Sequence, residues 1–292
     1  MNETDVPQVI GVIGGSGLYE LEGLTGARAL ELSTPFGAPS DAFVTGSVRG
    51  IRTVFLPRHG RGHAIAPTEI NHRANVWGMK KLGVTRLLSV SAVGSMREEI
   101  APGDFVVVDQ FFDRTRHRPD TFFSDGIVAH VMFADPTCRE VRETLLRAGR
   151  SLSLRMHDGG TYINMEGPQF STRAESRIYR QWGVDVIGMT NLQEAKLARE
   201  AEICYGTLAM ATDYDCWREG HEDVTVEGIL GVMRKNVANA RKLIEVALAT
   251  LPTERRCACG RALESAILTA PDKISPEVRT RLGLFIDKYV AR

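Results

Sequence analysis

The sequence predicts an α/β fold with a mixed central β-sheet flanked by helices, and three observations carry that expectation. Short apolar runs of strand length recur along the chain, and helical patterns lie between several of them. From about Thr225 onward the pattern reads as helices only. At 292 residues the chain is long enough for one large α/β domain or two ordinary ones, yet no Ser/Gly/Pro-rich linker, charge block or internal repeat divides it.

The elements follow in order. Residues 9–13 read as a short buried strand that ends in Gly14-Gly15-Ser16-Gly17, leaving backbone amides free past its end. Residues 42–48 and 51–56, joined at Arg49-Gly50, read as a hairpin, and a polar loop spans 57–67. A helix is expected from about Thr68, with Ile70, Ala74 and Trp77 at helical spacing and Gly83 as its stop. Residues 84–91, 105–109, 161–165, 184–188 and 203–212 are further strand candidates. In sheets of this kind ligands sit beyond strand ends, where loops converge. Four polar runs occupy such positions: 14–17, 58–63, 91–95 and 213–215.

Composition narrows the function classes. An apolar fraction of 43% and 36 basic against 36 acidic residues describe an ordinary globular protein. Nucleic-acid and anionic-membrane binding rely on excess basic charge, so neither is expected, and any bound anion must be held locally. Residues 1–8 are polar and net acidic, and no apolar run approaches the roughly 18–20 residues that span a bilayer, so a cytoplasmic protein is expected. The five cysteines, Cys138, Cys204, Cys216, Cys257 and Cys259, show neither a secreted disulfide framework nor a four-ligand zinc pattern. Cys257-Ala-Cys259 is compatible with a disulfide, a redox pair or half of a metal site; free thiols are the preferred reading and no metal is expected.

The glycine loop at 14–17 fits neither a dinucleotide fingerprint, which needs glycine where Glu20 stands, nor a nucleophile elbow, which needs glycine where Leu18 stands. Its amides and the Ser16 hydroxyl suit a small anion, and a plain tight turn suits the same residues. Pro57-Arg58-His59-Gly60-Arg61-Gly62-His63 gathers guanidinium forks and imidazoles fit for a phosphate dianion. A solvated basic loop is the bland alternative. His59 and His63 as metal ligands are disfavoured, because Gly60 and Gly62 oppose a helix there. Ser91-Ala92-Val93-Gly94-Ser95 and Met189-Thr190-Asn191 supply more hydroxyls and amides past strands, although Thr190 or Asn191 serves equally as a helix N-cap. Asp213-Tyr214-Asp215 puts two carboxylates on one face if strand geometry persists, an arrangement that needs a ligand or proton to offset its cost when buried. A surface acid pair covered by Trp217, or a glycosidase pair, remains open on spacing alone.

Together with Glu69-Ile70-Asn71-His72-Arg73-Ala74-Asn75, Met165-Glu166-Gly167-Pro168-Gln169-Phe170-Ser171 and Ala211-Thr212-Asp213-Tyr214-Asp215-Cys216-Trp217, these segments resemble the 5′-methylthioadenosine phosphorylase branch of the trimeric purine nucleoside phosphorylase family. The match runs over about 9–249, and the tail around Cys257-Ala-Cys259 is similar to longer microbial members. The resemblance implies a single nucleoside phosphorylase domain over 1–292, a homotrimer or a dimer of trimers, and inorganic phosphate as co-substrate with no cofactor. It sets Ser16, Arg58, His59, Ser91, Ala92 and Thr190 around phosphate, and Met189 at the ribose. Phe170, Ser171, Asp213 and Asp215 then surround the base, His130 reaches a neighbouring subunit's site, and Val226, Ile229 and Leu230 line a 5′ pocket. The sequence departs from many relatives in carrying serine rather than threonine at 16 and 91, and Asn191-Leu192-Gln193 replaces a Thr-Val-Pro of animal members.

The activity so implied is phosphorolysis of 5′-methylthioadenosine to adenine and 5-methylthioribose 1-phosphate, a purine and methionine salvage step, with Asp213, Asp215 and His59 as catalytic groups. Asp213 would protonate or hydrogen-bond N7 of the departing base, and Asp215 would accept from the 6-amino group. Broader action on adenosine or 5′-deoxyadenosine is the nearest alternative. A 6-oxopurine phosphorylase, a nucleoside hydrolase and a non-catalytic nucleoside sensor follow.

Overall fold

The computed structural model describes residues 8–15, 18, 23–218 and 226–290, with the backbone alone described for 226–230. Eleven strands form one mixed sheet among the described residues. They are β1 (Val9–Gly14), β2 (Leu24–Leu30), β3 (Phe43–Val48), β4 (Ile51–Pro57), β5 (Val84–Ser95), β6 (Phe105–Val107), β7 (Gln110–Arg114), β8 (Met156–Asp158), β9 (Thr161–Met165), β10 (Val186–Gly188) and β11 (Cys204–Asp213). The helices are α1 (His72–Lys81), α2 (Arg139–Ser151), α3 (Arg173–Gln181), α4 (Asn191–Glu200), α5 (Val226–Thr250) and α6 (Pro276–Ile286). The main path runs β2-β3-β4-β1-β5-β10-β9-β7, while β11 pairs with β5 and β6, and β8 extends from β6.

Local chemistry accounts for the elements that bear on the site. All six residues of β1 are buried, and β1 lies parallel to both β4 and β5. The β3–β4 hairpin turns at Arg49 and Gly50, whose φ angles of 49° and 83° are the left-handed pair a two-residue hairpin turn requires. Helix α1 begins later than the expected Thr68. Asn71 is its N-cap, accepting from the Ala74 N–H at 3.1 Å, while the Asn71 amide donates to the Phe36 and Ala38 carbonyls and so fixes where the helix starts.

Two sequence expectations are corrected at strand ends. Residues 91–95 form no loop: β5 continues through Ser95 because its C-terminal part is paired on two sides, with β11 at Asp213↔Gly94 and with β10 at Val186↔Ser95. Strand geometry also stops short of Asp215, whose φ of 51° turns the chain while its N–H donates to Asp213 Oδ1 at 2.8 Å. The C-terminal ends of β1, β4, β5 and β11 nonetheless converge, as the parallel pairings β1–β4, β1–β5 and β5–β11 demand.

Apolar layers close both sheet faces. Helices α1, α4 and α6 cover one side through Val76, Met79, Leu197, Ala198, Leu282 and Phe285. Helices α2 and α5 cover the other through Val141, Leu145, Leu243, Ile244 and Leu248. Between α5 and α6 the chain makes two short 3-10 turns and one isolated bridge, Ala129↔Ile267, so the all-helical reading of the tail holds apart from that bridge. No helix among the described residues is long and apolar enough to cross a membrane.

All five cysteines are free thiols, as preferred from the sequence, but four of them are gathered by the fold. Cys138 caps α2, Cys204 opens β11, and Cys257 and Cys259 flank the start of a 3-10 turn beyond α5, yet their four sulfurs lie within 4.8 Å of one another. A four-thiol cluster is therefore present where sequence spacing showed none. Its members come from three separate segments, and only the fold brings them together.

Candidate active site

A cavity of about 810 Å3 opens where those strands end. Its wall includes Gly15 after β1, Arg58 and His59 after β4, Ser91 to Gly94 of β5, Met189 and Thr190 after β10, and Asp213 and Asp215 at the end of β11. Phe170, Ser171, Met165, Met233 and Val237 complete a mostly apolar side. Thus polar runs that are distant in sequence meet around one space.

Arg58 enters the site through backbone pairing: its N–H donates to the Gly14 carbonyl at 2.9 Å, carrying the β1–β4 ladder one residue further. Its side chain is 2% exposed. Most of the guanidinium is engaged inside the protein, so it does not present a free two-pronged fork to a ligand. Nε donates to Glu194 Oε1 at 2.5 Å, Nη2 to Ser89 Oγ at 2.8 Å and to Glu194 Oε2 at 3.2 Å, and Nη1 to the Val90 carbonyl at 3.0 Å. Of its N–H groups only the second on Nη1 lacks an acceptor among the described residues. Burial works against the charge, but Glu194 more than offsets it and holds the guanidinium above its ordinary pKa.

Glu194 is itself fixed by the Ser89 hydroxyl at 2.6 Å and the Tyr205 hydroxyl at 3.2 Å, and Asn191 Nδ2 donates to Ser89 Oγ at 3.0 Å. This network was invisible in the sequence. Glu194 stands in an ordinary-looking helix, and nothing in its spacing announces that it is 1% exposed beneath Arg58.

His59 adopts a defined tautomer. Nδ1 lies 2.9 Å from the Ile65 carbonyl, which only accepts, so Nδ1 carries the proton and Nε2 offers a lone pair when the ring is neutral. Burial chiefly, with Arg58 and then His63 adding repulsion, pushes its pKa down to about 4 against the Ile65 bond, so the ring is neutral near pH 7. His63 stacks on it at 4.2 Å, which fits a ring pair rather than a metal-ligand pair. Behind them His72 is buried and held well below the usual histidine range by burial, then Arg58, Arg118 and His59.

Ser91 Oγ is buried and has no hydrogen-bond partner among the described residues, although Ser91 lines the cavity. Such a hydroxyl costs free energy unless a ligand oxygen meets it. Ala92 and Thr190 stand beside it on the wall, and Thr190 is also the N-cap residue of α4, where its hydroxyl makes no capping bond and donates instead to Asn191 Oδ1 at 3.2 Å. Ser16 lies outside the described residues.

At the other end Asp213 accepts from the Thr212 hydroxyl at 2.6 Å and from the Asp215 N–H at 2.8 Å. Burial raises its pKa above the usual carboxylate value despite those donors. Asp215 accepts from the Ser176 hydroxyl of α3, and burial raises its pKa too, opposed by Ser176 and assisted by Asp213. Ser176 was missed by the sequence reading. The signal for its helix exists in Thr172-Arg173-Ala174-Glu175, which forms a capping box. Gly94 makes room for the acids: a Cβ there would lie 3.0 Å from Asp213 Oδ1 and 3.3 Å from Asp215 Cβ. Trp217 closes the edge, donating from Nε1 to the Ser95 carbonyl at 2.7 Å.

Of the remaining expected residues, Met189, Phe170 and Ser171 line the cavity, with Phe170 63% exposed at its mouth. Val226, Ile229 and Leu230 lie outside the residues whose side chains are described. Met233 and Val237, further along the same helix and not singled out from sequence, do line the cavity. His130 is exposed and absent from the cavity wall of its own chain; its N–H donates to the Ala266 carbonyl at 2.9 Å.

The sequence profile of the phosphorylase superfamily matches residues 9–249, most of the chain. The chain belongs to the phosphorylase superfamily. Within it, a curated relative from Geobacter sulfurreducens, named S-methyl-5′-thioadenosine phosphorylase, is 60% identical over 284 residues, covering 97% of this chain and 99% of its own. A relative of the same name from Koribacter versatilis is 54% identical, with 96% of each chain covered. Among solved superfamily structures, a methylthioadenosine phosphorylase from an antarctic soil metagenomic library superposes with a TM-score of 0.92 at 45% identity, covering 96% of this chain and 99% of that one. A mutant form of the adenosine/methylthioadenosine phosphorylase from Schistosoma mansoni, in complex with adenine, gives 0.85 at 38% identity, covering 90% of this chain and 100% of that one. The nucleoside phosphorylase fold expected from the motifs is therefore the fold observed.

Proposed function

We propose that the chain catalyses phosphorolysis of 5′-methylthioadenosine, releasing adenine and 5-methylthioribose 1-phosphate. One observation carries the reading: a single cavity joins the polar corner of Arg58, His59, Ser91 and Thr190 to the acidic corner of Asp213 and Asp215, with a largely apolar wall of Met189, Met233 and Val237 between or beside them. The names of the relatives above support the same substrate.

Breaking the N-glycosidic bond places positive charge on the sugar and negative charge on the base. Phosphate at the polar corner is both nucleophile and counter-charge to the sugar. Thr190 and Ser91 hydroxyls, the Ala92 backbone and the remaining Nη1 proton of Arg58 would hold its oxygens, and the neutral Nε2 of His59 would accept a hydrogen bond from the hydroxyl of a monoprotonated phosphate. Ser16 would add a hydroxyl. Asp213, its pKa raised by burial, would donate a proton or hydrogen bond to N7 as the bond breaks, a contribution of about 10²–10⁴-fold for a positioned general acid. Asp215 would receive the 6-amino group, Phe170 and Ser171 would cover the purine, and Val226, Ile229 and Leu230 would extend the apolar pocket for the 5′ substituent.

The same reading makes the protein a cytoplasmic homotrimer, with His130 of each chain directed to a neighbour's site; its position off its own cavity wall is compatible with that role. The deciding experiment compares turnover of 5′-methylthioadenosine, adenosine and inosine, each with and without inorganic phosphate. Phosphate-dependent adenine release with a pentose 1-phosphate product is expected, fastest for 5′-methylthioadenosine. Release of base without phosphate would replace the reading with a hydrolase. The combined adenosine/methylthioadenosine name of the Schistosoma neighbour favours, as a second reading, broad tolerance at the 5′ position, and equal kcat/KM for the two adenine nucleosides would select it.

A further inference from the structure

Away from the cavity wall, Cys138, Cys204, Cys257 and Cys259 present four sulfurs that all lie within 4.8 Å of one another. Cys204 Sγ and Cys257 Sγ are 3.3 Å apart, well beyond the roughly 2.05 Å of a disulfide, and all four thiols are unpaired. A tetrahedral tetrathiolate with metal–sulfur bonds of about 2.3 Å spaces its sulfurs by about 3.8 Å, and the cluster brackets that value. Two separate disulfides need only two close pairs; here every sulfur is near every other.

The surroundings suit a negatively charged centre. Arg86 stands opposite Cys204 in the β5–β11 ladder and is 1% exposed. Its Nη2 donates to the Thr253 and Glu254 carbonyls, but Nε is buried without a hydrogen-bond partner among the described residues. A second cation, Arg255, packs its guanidinium against Gly260, next to Cys259. Cys138 sits at the N-terminus of the 13-residue α2, where the helix field favours a thiolate.

We infer that the four cysteines form a structural zinc site that pins the segment after α5 to the N-terminal ends of α2 and β11. Binding converts four thiols to thiolates, releases four protons to solvent and leaves a Zn(Cys)4 centre of charge −2, which Arg86 and Arg255 offset. No electron transfer is involved. Tetrahedral all-sulfur coordination suits Zn2+, iron being the alternative whose appearance in the elemental analysis would overturn the assignment, and four protein ligands leave no position for a substrate, which makes the role structural. The ligands open β11 at Cys204, whereas Asp213 closes it, so metal and chemistry are separated by about 30 Å along one strand, nine residues at ~3.3 Å each.

The test uses the full chain expressed in zinc-supplemented medium and purified without chelator. Elemental analysis is expected to give about one zinc per chain. Titration with an organomercurial is expected to release that zinc as the thiols are consumed, and Co2+ exchanged for it is expected to show the charge-transfer and d–d bands of a tetrahedral tetrathiolate. The Cys257→Ser/Cys259→Ser double variant is expected to lose at least about tenfold in zinc content and to melt at lower temperature, while kcat stays within about twofold of wild type. Metal-free protein with all its cysteines titratable as free thiols would overturn the site, as would protein whose denatured, unreduced form shows only Cys216 free, since the cluster would then be two disulfides. Undiminished zinc in the double variant would overturn it too. Should that variant not fold, zinc content and mercurial release in the wild-type chain decide the matter unaided.

Discussion

The Ser176 hydroxyl donates to the Asp215 carboxylate, so a side chain that is itself absent from the cavity wall favours the ionised form of one that lines it. Burial drives Asp215 towards its protonated form and Ser176 opposes that drive. An ionised Asp215 accepts from a 6-amino group; a protonated one can donate to a 6-oxo group. Ser176→Ala is therefore expected to weaken the preference for adenine over hypoxanthine nucleosides, by about 1–3 kcal/mol for a lost hydrogen bond to a charged group, and more strongly at about pH 5.5 than at about pH 8. The check is the ratio of kcat/KM for 5′-methylthioadenosine and inosine across pH. A ratio unchanged at every pH would separate Ser176 from base selection.

Asp213 accepts two hydrogen bonds and is raised in pKa by burial, which readies it to give a proton. Asp213→Asn keeps the shape but removes the acid. A fall in kcat of about 10²-fold or more is expected, with KM for phosphate nearly unchanged. Steady-state kinetics with varied phosphate reads both.

The Arg58–Glu194 pair, 2% and 1% exposed, is locked at 2.5 Å. Removing one partner strands the other in a dry interior. Glu194→Ala is expected to cost about 3–5 kcal/mol of stability, measured by urea unfolding, and to raise KM for phosphate as the freed guanidinium shifts. A loss under about 1 kcal/mol would mean that water reaches the pair.

Gly94 has no spare volume on the acidic side. A methyl group in Gly94→Ala would sit 3.0 Å from both Asp213 Oδ1 and Ile187 Cγ2. The expected outcome is a stability loss of about 1–3 kcal/mol together with a reduced kcat, because relief requires moving the acid. Thermal melting and turnover on the same sample test the pairing of the two effects.

Glu200 gives a pH-dependent stability. Burial raises its pKa to about 7 from 4.5, although the Phe122 N–H and Thr121 hydroxyl favour the charged form. The folded chain then binds the proton more tightly than the unfolded chain, so the favourable contribution is full below about pH 4.5 and is lost as pH rises through about 7. The swing is roughly 3 kcal/mol at most. Glu200→Gln is expected to flatten this part of the stability curve, as followed by denaturant unfolding between about pH 4.5 and 8.

What the sequence made legible follows burial. The strands β1, β5, β9 and β11 are almost wholly buried and announce themselves as apolar runs. β2 and β7 are mostly exposed and β8 has only three residues, so no apolar alternation marked them. Within the site, residues that touch the cavity were largely named. Those that hold them, Glu194, Ser89, Asn191 and Ser176, were not singled out for that role, because an acid, a hydroxyl or an amide looks the same on a surface as beneath an arginine. The thiol cluster escaped for a related reason: pairwise spacing along a chain says nothing of segments that meet only after folding.

Ser91, Ala92 and Gly94 occupy one uninterrupted stretch of β5, whose pairing passes from β11 to both β11 and β10 at Gly94. That backbone acts as a ruler: three residues at ~3.3 Å each set about 10 Å between the corner that would receive an attacking oxygen and the glycine against which the two carboxyls lean. Neither corner can drift without breaking ladder bonds. A nucleoside analogue with one methylene inserted between sugar and purine would then reach one anchor or the other, but not both, and would compete for binding without being split.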